Sequence, residues 1–251
     1  MEPTARRAMV REVWLVLLLS LGRSAVYATV SFLAALTAGR RLADSTAPLN
    51  PSYSPRPLLD LTYQVLAIGF TLVPVLLAWH FLSVGGERPA RTLGLDLSQP
   101  GRDARRGAVL AAVVGGAGLV FYLLAYRAGV NLRVSASGLG EVWWAPLVLV
   151  ARAVMNALLE EVLVAGYLLH RLAQLGWSPW RAVAVSAVLR GTYHLYQGVG
   201  GFVGNVAMGV LFARLYQRWG RTAPLVVAHA LIDIVAFLGY RALAGNVSWL
   251  P

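Results

Sequence analysis

Asn156-Ala157-Leu158-Leu159-Glu160-Glu161-Val162-Leu163-Val164-Ala165-Gly166 sets two adjacent carboxylates in the middle of a long apolar run. That run, 143–170, has the length and composition of a membrane-spanning helix, which needs about 20 mainly apolar residues. An acidic side chain at the centre of such a helix costs about 2.5–3.5 kcal/mol on insertion scales, so a pair persists only with partners or a task. Polar residues that could serve as partners follow in later apolar segments: His194, and His229 with Asp233.

The rest of the chain supplies the same setting. It is 58% hydrophobic and 13% charged, with a mean hydropathy of +0.63, too apolar for a soluble domain with a wetted exterior. The expected fold is all-α, a polytopic transmembrane bundle of about seven spans at 13–38, 61–84, 107–126, 143–170, 180–197, 201–217 and 223–243. The chain reads as one transmembrane domain, 1–251, with its motif-bearing half at 143–243. Pro48–Pro57 holds four prolines with Asn50, Ser52 and Ser54 and reads as an extended loop. Gly198-Val199-Gly200-Gly201 breaks the fifth span from the sixth at a tight turn.

Cysteine is absent, which excludes disulfides, thiolate metal sites, a cysteine nucleophile and a lipoprotein anchor. The net charge is +11, and all 22 basic residues are arginine. They lie between apolar runs rather than in one patch interleaved with aromatics, so they mark membrane flanks and not a nucleic-acid surface. Arg6, Arg7 and Arg11 precede an apolar run that is longer than a signal-peptide core, so a retained first span is expected. If the N-terminus is inside, 13 arginines fall on inner flanks against six outside. The positive-inside rule then favours a cytoplasmic N-terminus, and a multi-pass chain in the plasma membrane is expected. Trp143, Trp144, Trp177, Trp180 and Trp219 fall at span ends, as interfacial aromatics do.

Three apolar segments each present a polar face. Arg152, Asn156 and Glu160 follow i, i+4, i+8 spacing and stack along one helix side, with Glu161 rotated about 100° away. One glutamate can thus face a cavity and the other a neighbouring helix. Arg190 and His194 repeat the i, i+4 spacing, as do His229 and Asp233. A carboxylate and an imidazole converging in a partly dry cavity can hold a water and take its proton. A second imidazole can stabilise the oxyanion on an attacked carbonyl, with Asp233 orienting it. Alternatively, Glu160, His194 and His229 supply a ligand set for a zinc with one open position. Spacing does not separate these mechanisms. No H-E-x-x-H, G-x-S-x-G, Walker A or G-x-G-x-x-G pattern occurs. His80 and His170 read as interface residues.

Three ordered motifs over 156–233 resemble the CPBP intramembrane proteases, relatives of the CAAX prenyl endopeptidases and the Abi-type bacteriocin-immunity proteins. The family's E-E-x-x-x-R is matched by Glu160-Glu161 with Ala165 in place of arginine. Its F-x-x-x-H is matched at His194 with Arg190 in place of phenylalanine, and its H-x-x-x-N/D by His229 and Asp233. The resemblance implies that Glu160 and His194 activate water, Glu161 organises the site, and His229 with Asp233 stabilises the oxyanion. The guanidinium missing at Ala165 is expected from Arg190 or Arg152, both unusual inside a span.

The leading expectation is an endopeptidase that cuts a membrane-associated protein or peptide near the cytoplasmic side of the bilayer, with membrane lipid as its other partner and no nucleic acid. The alternatives are an inactive scaffold or immunity protein, favoured by Ala165, and a proton- or cation-coupled transporter, for which intramembrane Glu, Asp and His would form a relay.

Overall fold

The computed structural model describes residues 2–247. Helices dominate: α1 (Pro3–Leu18), α2 (Leu21–Thr37), α3 (Pro57–Thr71), α4 (Val73–Val84), the single turn α5 (Pro89–Thr92), α6 (Pro100–Arg127), α7 (Ala145–Glu160), α8 (Leu168–Gln174), α9 (Pro179–Tyr193), α10 (Val199–Trp219) and α11 (Ala223–Leu243). A π-helical segment, Glu161–Tyr167, joins α7 to α8 without a break. Prolines in the first turn start α1, α3, α4, α6, α7, α9 and α11, where the missing N–H has no intrahelical partner to lose.

By length and composition, 57–84, 100–127, 199–219 and 223–243 can each cross a membrane, and α1 with α2, bent by 49° at their junction, counts as a fifth if the pair is one broken span and not a re-entrant loop. In the apolar window of α6 only 6% of residues are buried, so its surface is apolar and faces outward, as a lipid-facing helix requires. Two of the seven expected spans do not meet the same test. α9 is 15 residues long, and the run through α7 and α8 is interrupted by the π segment and carries Arg152, Glu160, Glu161 and Arg171. Each buries one side against neighbouring helices and leaves apolar residues exposed on the other, Leu147 and Val154 on α7 and Val185 and Val188 on α9.

Each end of the bundle is tied by polar contacts. At one end, the Thr222 amide donates to the Leu93 carbonyl at 2.9 Å, Arg221 clamps Asp103 and Asp96, and Arg171 bonds Glu12 and Glu87. This end carries the arginine-rich connectors. At the other, a short strand, β1 (Thr46–Pro48), pairs in parallel with β2 (Arg133–Ser135) and leads into the proline-rich segment, which is a loop as expected. Asn50 adds a side-chain bond to the Ala136 carbonyl at 2.7 Å, and Asn131 pairs across to Gly198.

The close approach of α9 and α10 fixes the site. A Cβ on Gly191 would sit 2.4 Å from Val206 Cγ2, and one on Gly209 would sit 2.9 Å from the Ala187 Cα. Only glycine at these positions allows the two backbones so near each other.

Candidate active site

The glutamate pair sits where the α-helix gives way to the π segment. A π turn adds a residue to the helical repeat and so re-aims the side chains that follow it, a device common at functional sites. Ser186 of α9 donates to the Val164 carbonyl at 3.0 Å, tying α9 to the segment from its middle.

Glu161 is fully buried and points between α9 and α11. Its Oε1 accepts from Arg190 Nη2 at 2.5 Å and lies 2.7 Å from His229 Nδ1. Arg190 Nη1 is 4.0 Å from Glu160 Oε2, and the guanidinium lies over the Phe212 ring at 5.5 Å. Arg190 therefore stands between the two carboxylates and supplies the positive charge that Ala165 does not.

The expectation for Arg152 is corrected. Its Nε donates to Gln64 Oε1 at 2.7 Å and its Nη2 to the Tyr53 hydroxyl at 3.0 Å, so it anchors α3 and the proline-rich loop. Side chains eight residues apart share a helix side only approximately, and a long arginine follows whichever acceptor is near its tip.

Glu160 faces the less enclosed side. Its Oε2 accepts from the Tyr193 hydroxyl at 2.8 Å and lies 3.5 Å from His194 Nε2. Gln197 reaches His194 Nδ1 at 3.3 Å and the Tyr196 hydroxyl at 3.0 Å. Asn156 Nδ2 donates to Asp233 Oδ2 at 3.3 Å, and Asp233 Oδ1 is 3.8 Å from His229 Nε2. Glu160, Glu161, Arg190, His194, His229, Asp233 and Asn156 are thus brought together, and Arg152 is not.

Three buried polar atoms here have no hydrogen-bond partner: Glu161 Oε2, Arg190 Nη1 and His194 Nε2. Buried polar atoms are nearly always paired, so these three are the places in the cluster where a water or another group can bind.

The metal set expected from spacing is regrouped. Among the described residues, the donor atoms that lie within 4.8 Å of one another belong to Glu160, Glu161 and His229, and His194 is outside that group. Elsewhere, His170 Nε2 lies 2.7 Å from Glu87 Oε2.

Sequence reasoning missed Tyr193 and Gln197. Tyr193 adjoins His194 in the second motif, but neighbouring helical residues point about 100° apart, so adjacency alone gave no reason to aim it at Glu160. Gln197 enters through the tight turn after α9, whose path no periodicity predicts.

Residues 142–235 match the family model described as type II CAAX prenyl endopeptidase Rce1-like. No curated protein and no solved structure matches the chain significantly. The Rce1-like stretch starts just before α7 and ends just past Asp233, so it encloses every residue of the cluster. It agrees with the resemblance read from the three motifs over 156–233. α1 to α6 lie outside the match.

Proposed function

We propose that the protein is an intramembrane endopeptidase in which Glu160 and His194 hold and activate a water. The observation that carries this reading is the approach of Glu160 Oε2 to 3.5 Å from His194 Nε2, a buried nitrogen that makes no hydrogen bond within the protein. A water between them would give its proton to Glu160 as its oxygen attacks the peptide carbonyl. Glu160 would then pass that proton to the departing amine, leaving a free carboxyl and a free amino end. Tyr193 fixes the carboxylate by its hydroxyl, and Gln197 fixes the ring of His194. His229 and Asn156 would donate to the developing oxyanion, with Asp233 bonded to Asn156.

Zinc does not suit the group of Glu160, Glu161 and His229. Glu161 Oε1 is already taken by a guanidinium at 2.5 Å and an imidazole at 2.7 Å, and a dication bound there would face Arg190 directly. Arg190 also answers the feature that favoured an inactive scaffold, since the charge absent at Ala165 arrives from α9.

The test uses purified, reconstituted protein and a library of membrane-tethered peptides, with products read by mass spectrometry. Glu160→Gln and His194→Ala are expected to keep the fold and lower cleavage by about 10²–10⁴-fold, the range of a lost general base. Chelator is expected to leave cleavage unchanged. A folded parent that cuts nothing beyond what the variants cut overturns the reading.

A further inference from the structure

A cavity of about 600 Å³ lies between α2 and β1. One wall is the small-residue side of α2, with Ser24, Ala28, Ser31 and Ala35; the facing wall is the strand residues Ser45 to Pro48. Arg40 lines it as well, and Tyr193 and Tyr196 are its link to the site, since the Tyr193 hydroxyl bonds Glu160 at 2.8 Å. The cavity therefore ends one side chain from the carboxylate proposed to activate water.

The strand that lines it has a free edge. The Arg133 amide donates to the Ser45 carbonyl and the Leu49 amide to the Ser135 carbonyl, each at 2.9 Å. In a parallel pair alternate residues turn both backbone groups to the same neighbour, so Ser45, Ala47 and Leu49 face β2. Thr46 is left with its N–H and C=O on the other edge, and Pro48 with its C=O. The sheet has only β1 and β2, so no strand among the described residues uses that edge. Ser45 Oγ, in the cavity wall and 4% exposed, has no hydrogen-bond partner.

We propose that this cavity receives the substrate polypeptide as an extended segment paired with the free edge of β1. It would reach Glu160 from the end of the bundle opposite the arginine-rich connectors. The proposal rests on the protease reading and adds to it the conformation and the side of the substrate. An extended peptide satisfies the Thr46 N–H and C=O by strand addition, the mode by which exposed sheet edges bind chains. The small side chains of α2 leave room for the peptide's own, and Arg40 suits an acidic side chain or a carboxylate. The arginine-rich end is cytoplasmic by the positive-inside rule, so the substrate is a segment presented on the outer side of the membrane. This departs from the cytoplasmic-side cleavage expected from the position of His229 after Arg221.

The absence of cysteine makes two tests direct. First, Thr46→Cys, Ala34→Cys and Ser178→Cys are each treated with a membrane-impermeant maleimide in intact cells and in inside-out vesicles. Thr46→Cys and Ala34→Cys are expected to react in intact cells and Ser178→Cys only in vesicles; the opposite pattern overturns the outer-side assignment. Second, Thr46→Cys is combined with Glu160→Gln and mixed with membrane-tethered peptides of alanine, serine and leucine that carry one cysteine walked along the sequence. Disulfide yield is expected to rise and fall with a two-residue period, at least tenfold between neighbours, as a paired strand demands. Uniform or negligible yield overturns strand addition. Neither readout needs cleavage, so the two readings fail separately: docking without cutting by the parent sinks the protease reading, and cutting without the two-residue period sinks strand addition.

Discussion

Arg171 and Arg190 are both buried arginines held by glutamates, and they differ in what is left over. Arg171, near the arginine-rich end, gives every nitrogen a partner: Nε and Nη2 reach Glu12, and Nη1 reaches Glu87 and Gln174, all within 2.9 Å. Tyr167 adds its hydroxyl to Glu12. Arg190, in the middle of the bundle, leaves Nη1 unpaired beside Glu161 Oε2 and His194 Nε2, which are also unpaired. The first cluster is complete within the protein and ties α1 and the loop after α4 to the central helix. The second is incomplete within the protein, and that is the physical ground for reading one as a fastening and the other as a reaction site.

Removing the cation from each cluster separates them most sharply. Arg190→Leu strands a fully buried carboxylate and is expected to cost about 3–5 kcal/mol of stability, measured by unfolding in detergent. A much smaller cost would mean that Glu161 has another source of charge. The pairing logic predicts rescue: Arg190→Phe combined with Ala165→Arg restores the family's arrangement of the two positions. It should recover a measurable part of both stability and cleavage relative to Arg190→Phe alone, and no recovery would show that the two positions are not interchangeable donors.

Arg171→Leu should cost less, about 1–3 kcal/mol, because Glu12 and Glu87 are partly exposed and water can replace the lost partner. Its cleavage rate per folded molecule should match the parent's; a lost rate at full folding would break the distinction between fastening and site.

The smallest effect concerns the Asp96 contact with Arg221. The Ser98 hydroxyl and amide, then Arg221, hold the Asp96 carboxyl down to about 2. A carboxyl lowered on folding stabilises the fold above its unfolded value and loses that contribution as pH falls through the folded one. The stability gap between the parent and Asp96→Asn should therefore be present at neutral pH, shrink below the usual carboxylate range and vanish near pH 2. A gap that does not change with pH would mean the contact acts through shape and not charge.

Sequence alone settled the helical membrane class, because 58% apolar residues in long runs have no other way to satisfy their backbone groups in lipid. It also named Glu160, Glu161, His194, His229 and Asp233, since titratable groups inside apolar runs stand out against their neighbours. It left Arg190 and Arg152 equal as sources of the missing charge, because helical spacing orders residues along one helix and carries no information on which helices meet. Tertiary packing made the choice: Gly191 and Gly209 bring α9 against α10 and carry Arg190 to Glu161, while Arg152 turns to Gln64 and Tyr53. The strand just before the proline-rich loop was equally invisible, because its partner lies some 87 residues on in the chain at Arg133, opposite Thr46, and a pairing that distant leaves no local period to read.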